Sequence, residues 1–363
     1  MFTIIDRYIL KKYLSTFFFI ILLMAMLAVV IDFAEKVEDF TKVDSPKVSE
    51  IVWDYYMNFM PYITSLLFPL YALIAVIYFT SRLANQSEII AMIGNGIHFY
   101  RLLVPYLSGA IFIALIHLLA NHYIFPAANK KRTEFENTYI WKYNFQGNTE
   151  NVHINLSETE EIYIQHYNRG DSTGMNFSLV KYDSQGIQRP YVLQAAKIQL
   201  IQYPNLWRIY NFHTRYVDGM KETILKGETK DTILNFTSAD LSRRDNWKDA
   251  MSSPALLAYV AAEQAKGKGN VVPFLVEYHR RNADPFSILV LTIIGLSVSS
   301  RKMRGGMGWH LVIGMLISAL YIFMGKFSMT FSTHAGLPPF IGAWMPNIIF
   351  SIVAIWMLFN AKK

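Results

Sequence analysis

The stretch Ser81–Arg101, SRLANQSEIIAMIGNGIHFYR, holds the spacing in this chain that most suggests chemistry. Glu88 follows Asn85 by three positions, the spacing of a capping box, and predicts the start of a helix. Ile89, Ile90, Met92 and Ile93 make that helix amphipathic, and Gly94 and Gly96 close it in a turn. A short helix of this kind can lie flat as an interfacial anchor, or it can serve as a knob gripped by a cytoplasmic partner. Composition leaves both open.

Elsewhere the chemistry is sparse. No glycine is followed by Lys and then Ser or Thr in the frame of a phosphate-binding loop, so the chain carries no P-loop ATPase site of its own. His117 and His122 are five apart, a poor spacing for one helix face, and no HExxH occurs; no metal site and no cofactor are expected. There is no nucleophile elbow and no carboxylate pair in apolar surroundings, so no catalytic residue is assigned. Asp284 stands out as an acid at the edge of an apolar span, where ionisable groups are functional candidates. Pairing with Arg280 or Arg281 would explain it equally well.

The elements that must position these residues are membrane spans. Hydrophobic residues make up 53% of the chain and charged ones 17%, below the share of soluble proteins. Crossing a hydrocarbon core of ~30 Å takes about 20 apolar residues as helix. Tyr13–Ile31, Tyr55–Ser81 and Leu102–Ala128 satisfy this without a charged side chain. Phe286–Ser300, Trp309–Gly325 and Phe340–Ala361 form a second set; the first of these is short, so its helix is expected to begin near Arg280–Pro285. The predicted fold is an α-helical membrane protein with six transmembrane helices and an all-β, jellyroll-like domain inserted between helices 3 and 4. Expected boundaries are 1–128 for helices 1–3, with the short cytoplasmic helix at about 82–97. The β-domain follows at 129–252, and a connector helix with helices 4–6 at 253–363.

Basic residues gather on cytoplasmic loops. Arg7, Lys11 and Lys12, then Arg82 and Arg101, then Arg301, Lys302 and Arg304, and finally Lys362 and Lys363 all fall on one side of this topology. The loop after span one is acidic instead, with Asp32, Glu35, Glu38 and Asp39. Both termini are therefore expected inside and the insertion outside. The first span is longer than a signal-peptide core and reads as an uncleaved helix. The net charge of +7 follows from these anchors and gives no reason to invoke nucleic acid. Without cysteine, the external domain must hold together by packing and strand pairing. The sequons at Asn155, Asn176 and Asn235 read as chance tripeptides.

From about Tyr139 to Trp247 the apolar period changes to two, with turns expected at Asn168–Gly174, Asp183–Gly186 and Asp218–Gly219. Met175, Phe177 and Leu179 alternate with polar residues, and Leu206, Tyr210 and Phe212 oppose Trp207 and Ile209. Apolar residues on both faces fit a packed sandwich or an inner surface that holds something greasy. Ser253–Lys266 reads as a short helix capped by Ser253, with Pro254 in its first turn and Gly267 and Gly269 after it.

Taken together these segments resemble the LptF/LptG (YjgP/YjgQ) family of lipopolysaccharide export permeases. The similarity lies in DRYILKKYL (Asp6–Leu14), in Gln86-Ser-Glu88 followed by Gly94-Asn-Gly96, and in YHRRNADPF (Tyr278–Phe286). It continues through Gly336–Phe340 and Trp344–Asn347, where Ala343–Asn347 is nearer to the LptG branch. The resemblance implies a permease subunit of an ABC transporter that extracts lipopolysaccharide from the inner membrane. It implies four kinds of partner: an LptB-like ATPase dimer, a second, LptF-like six-helix permease, LptC/LptA-like periplasmic jellyroll proteins, and the lipid. Glu88 then docks on the ATPase, with Ser87, Ile89, Gly94 and Gly96 shaping the coupling helix, and helices one and five line a lateral gate. Basic residues at the outer end of helix one face lipid phosphates in that family. Here Asp32 and Glu35 stand there, with Lys36 the nearest cation, so Lys130, Lys131 and Arg132 become the substitute candidates. Met175, Phe177 and Leu179 are the candidate lipid-contact residues of the β-domain. A permease for another lipid or lipoprotein, or a scaffold or receptor that transports nothing, would share the same architecture.

Overall fold

The computed structural model describes residues 3–41, 45–140, 150–157, 159–168, 171–183, 190–202, 205–234, 236, 247–265, 271–300 and 307–361. The cations Arg301, Lys302, Arg304, Lys362 and Lys363, the sequon Asn235, the side chain of Asn155, the connector's Lys266, Gly267 and Gly269, and parts of two expected turns (169–170 and 184–186) lie outside them. The chain divides into a helical unit (1–140, 248–257 and 272–363) and a second unit (141–247 and 258–271).

In the helical unit, six helices are long and apolar enough to cross a membrane. They are α1 (Ile4–Phe40), α2 (Val48–Asn85), α4 (Phe99–Ile140), α7 (Val272–Ser299), α8 (Met307–His334) and α9 (Pro339–Ala361); the short α3 (Glu88–Gly94) lies between α2 and α4. Thr3 and Asp6 form a reciprocal capping box at the start of α1. Tyr13 packs beside Phe79 and Tyr106, and its hydroxyl bonds Thr292 Oγ1 at 3.0 Å. Gly109 makes this approach possible, since a Cβ there would lie 2.6 Å from the Tyr13 ring.

Helix α7 begins eight residues before the expected start at Arg280, because its charges satisfy one another along the helix. Arg280 bonds Glu277 and Asp284, and Arg281 bonds Glu277, at spacings of three and four. Pro285 has no N–H for the carbonyl of Arg281; Asn121 Nδ2 on α4 donates to that carbonyl instead, at 3.1 Å. Three stretches of wider π-helical turns interrupt the spans: Ile51–Tyr56 in α2, and Ala120–Ile124 and Glu136–Ile140 in α4. Such turns re-aim side chains, and each stretch supplies a residue to a buried polar cluster described below.

The connector contains α5 (Trp247–Ala250) and α6 (Ser253–Ala265). Ser252, not Ser253, caps α6, with Oγ accepting from Ala255 N at 3.4 Å. Ser253 Oγ is taken by Arg281 at 3.1 Å and by His122 at 2.7 Å.

The second unit holds one six-stranded antiparallel sheet whose strands pair in sequence order: β1 (Glu150–Ser157), β2 (Glu160–Asn168), β3 (Thr173–Lys181), β4 (Tyr191–Gln202), β5 (Leu206–Asp218) and β6 (Lys221–Ile233). Successive strands therefore connect as neighbours, with Gly219 at φ +60° in the β5–β6 turn, and no Greek-key crossover occurs among the described strands.

One row of this sheet is unpaired from edge to edge. Asn151, Gln165, Asn176, Ala196, Asn211 and Glu228 lie across from one another and have no register partner, while pairing on both sides keeps the same frame. On alternate strands this row is left-handed: Asn151, Asn176 and Asn211 have φ of 52°, 53° and 49°. Asparagine tolerates that conformation better than most residues. Across the row the inward alternation slips by one: Ile164 is followed inward by Tyr167, Ala195 by Ile198, and Ile209 by Phe212. This slip explains the apolar residues that seem to sit on two faces. Trp207 and Ile209 on one side of the crease and Phe212 on the other reach the same core, which Leu234 and Phe236 complete. Trp207 stacks on Phe236 with centroids 4.8 Å apart and donates from its indole N–H to the Phe236 carbonyl.

Candidate coupling helix and candidate lipid contacts

Glu88 opens α3, but not through the expected capping box. Asn85 ends α2, and Ser87 is the N-cap, turned into the left-handed region at φ 59° with no side-chain cap bond. Two helices separated by a two-residue turn leave Asn85 inside the first, so its side chain is not placed to cap the second. The far end of α3 is closed by Gly96 at φ +87°: Gly96 N–H bonds Ile93 O and Ile97 N–H bonds Met92 O, a Schellman closure. Gly94 sits in the helix, and open space surrounds the position a Cβ would take. Ile89 is buried in the core that also holds Ile9, whereas Ile90 and Ile93 are exposed. The Tyr8 hydroxyl donates to Glu88 Oε2 at 3.1 Å. After the turn, Arg101 grips the buried Asp6 of α1 with both terminal nitrogens.

The candidate cations separate into two kinds. Lys36 and Arg132 are engaged in an internal cluster with Asp32 and Glu136. Lys36 lies 2.9 Å from Asp32 and 3.3 Å from Glu136 and also meets the Tyr55 hydroxyl; Arg132 lies 2.6 Å from Glu136 and bonds Asn129. Tyr55 in turn donates to Asp32 at 3.0 Å, and the Arg132 guanidinium covers the Tyr62 ring at 3.9 Å. Two acids face two bases, and the cluster is electrically balanced. Tyr55 and Glu136 come from π-helical stretches, a contribution that hydropathy does not show. Lys130 and Lys131 are exposed on the same helix.

A second polar cluster gathers on α7. Asp284 pairs with Arg280 at 2.7 Å. The Arg281 guanidinium, nearly inaccessible, bonds Glu277 and the carbonyls of Met251 and Lys248. Asn347 donates to the Ala283 carbonyl and accepts from Tyr321, tying α9 and α8 to the proline break. Asp249, on α5, lies close enough to feel Glu277; burial, reinforced by that carboxylate, pushes its carboxyl up to about 6. His117 and His122 are not brought together: His117 stacks on Phe68 at 4.1 Å, and His122 turns to Ser253. Among the described residues no group of three His, Asp or Glu could hold a metal ion.

In the sheet, Phe177 and Leu179 are core residues, while Met175 is exposed on the other side of the crease residue Asn176. The three expected lipid contacts therefore do not share one surface.

The model of the family described as "Lipopolysaccharide export system permease LptF/LptG" matches residues 7–360. Two relatives, each named lipopolysaccharide export system permease protein LptG, come from Escherichia coli strain K12 and from E. coli O6:H1 strain CFT073. Each is 19% identical to this chain, over 98% of both lengths. With six spans, an all-β insertion between the third and fourth, and a family match that runs almost end to end, the chain belongs to the LptF/LptG family of lipopolysaccharide export permeases.

Proposed function

We propose that this permease works as one half of an ABC transporter, driven by a separate LptB-like ATPase dimer that docks on α3. The observation that carries this is the make-up of α3: Glu88 and the exposed Ile90 and Ile93 stand on a short helix whose other side is anchored by Ile89. A helix that transmits force between two proteins needs a rigid seat and an outward contact. Both termini and α3 are then cytoplasmic, and the sheet is periplasmic, in the inner membrane. A second, LptF-like permease completes the pair, and LptC/LptA-like jellyroll proteins receive the lipid.

The physical task explains the architecture. Exposing a methylene to water costs roughly 0.8 kcal/mol, so an acyl chain of about a dozen would cost on the order of 10 kcal/mol. A continuous apolar route keeps the chains dry, and the ATPase need only close a cavity and set direction. Lys130 and Lys131, exposed on α4, are the cations available to meet lipid phosphates without first breaking an internal pair. Met175 is the exposed member of the candidate β contacts.

The test is a pull-down of the tagged chain from its own membranes in mild detergent, with mass spectrometry of what co-purifies. An ABC ATPase and a second six-span permease are expected. Recovery of neither, from intact and monodisperse protein, would favour a non-transporting scaffold or receptor.

A further inference from the structure

Glu88 is held by the first membrane helix. The Tyr8 hydroxyl donates to its Oε2 at 3.1 Å across eighty positions of sequence, and among the described residues the Glu88 carboxylate makes no other hydrogen bond. The Lys12 ammonium lies 4.9 Å from the Tyr8 ring centroid and steadies that ring from the next turn of α1. On the far side of α3, Arg101 closes on Asp6, two residues before Tyr8. Beneath both, Ile5, Ile9, Ile89 and Met92 pack in one core. The first turns of α1 thus grip α3 at its head, along its buried face and just beyond its end.

We propose that Tyr8 is the positioning residue for Glu88, fixing one carboxylate oxygen so that the other is presented to the ATPase in a single orientation. This rests on the docking role given to Glu88 above. A glutamate side chain loses rotamer freedom when it docks. A hydroxyl that already holds Oε2 removes part of that cost beforehand. The left-handed Ser87 contributes by aiming the first turn of α3.

The experiment is a double-mutant cycle on the full chain co-produced with its second permease. The affinity for the purified ATPase dimer is measured for the native pair, Tyr8→Phe, Glu88→Ala and the double variant. Tyr8→Phe keeps the ring and removes only the hydroxyl. It is expected to weaken ATPase binding about fivefold when Glu88 is present, and to change nothing in the Glu88→Ala background. No effect of Tyr8→Phe beside a clear effect of Glu88→Ala would overturn the positioning role and leave the docking role standing. Equal weakening in both backgrounds would also overturn it, because Tyr8 would then act without Glu88. An unchanged affinity for Glu88→Ala would overturn the docking role itself and this proposal with it.

Discussion

Arg101 holds Asp6 with two nitrogens, Nη1 at 2.9 Å from Oδ1 and Nη2 at 2.5 Å from Oδ2, while Thr3 donates to the same carboxylate from its N–H and its hydroxyl. One buried acid therefore caps its own helix and fastens the start of α4 to it. Removing the cation should leave the buried Asp6 carboxylate with only its Thr3 bonds, costing about 2–3 kcal/mol for Arg101→Ala. Arg101→Lys, which loses the two-pronged geometry, should cost about 1–2 kcal/mol. The double variant Asp6→Asn/Arg101→Ala should be less destabilised than Arg101→Ala alone, as read by thermal unfolding in detergent.

The two glycines of α3 and its closing turn should behave oppositely. Gly96 needs a positive φ, so Gly96→Ala should lower stability by about 1–2 kcal/mol and fray the end of α3. Gly94 lies in ordinary helix with open space around it, so Gly94→Ala should be neutral or stabilising by up to about 1 kcal/mol. Limited proteolysis near Ile97 reads both: faster cutting in the first variant and unchanged or slower cutting in the second.

Phe177 and Met175 should separate packing from contact. Phe177→Ala opens a hole among Ile162, Leu179 and Phe236 and should cost about 3–5 kcal/mol in the sheet. Met175→Ala removes an exposed side chain and should stay within about 0.5 kcal/mol. A photoreactive group at position 175 that captures lipid in a fully folded protein would support a surface contact there.

Asp249 gives the chain a local pH dependence. Its carboxyl is held at about 6 in the folded protein against an ordinary value near 3.8. The folded state therefore binds this proton more tightly, and the ionised form costs stability as pH rises from about 4 through about 6. Asp249→Asn should raise the unfolding midpoint at pH 7.5, and the difference should close as pH falls towards 4. A difference that is constant with pH would remove this group from the account.

How far these features can be read from sequence follows from the range of the interactions behind them. The six spans and the β insertion rest on composition over twenty residues at a time and stand out in the chain itself. The residues of α3 are visible as a motif, but their partners are not: Tyr8 and Asp6 lie 80 and 95 positions from Glu88 and Arg101. Lys36 and Arg132 each have an acid four positions away, Asp32 and Glu136, which is a local signal of pairing. Only the join between these two pairs, through Lys36 with Glu136 and through Tyr55, leaves no local pattern. The early start of α7 was hidden for the opposite reason. Glu277, Arg280, Arg281 and Asp284 look like an interfacial charge run until their spacing of three and four is taken as mutual neutralisation. Asn176 and Asn211 carry a usable signal, since asparagine is depleted in strands and these two stand near the middles of β3 and β5.

The unpaired row across the sheet makes strand length a collective property. In β2, β3, β4 and β5 the burial on one side of the crease depends on one extra residue there, and the neighbouring strands keep register because they carry the same extra residue. Deleting one residue from a single strand would turn half of it inside out and mismatch it with both neighbours. Such a domain can exchange side chains freely along its outer surface, yet it can gain or lose length only at its hairpin ends.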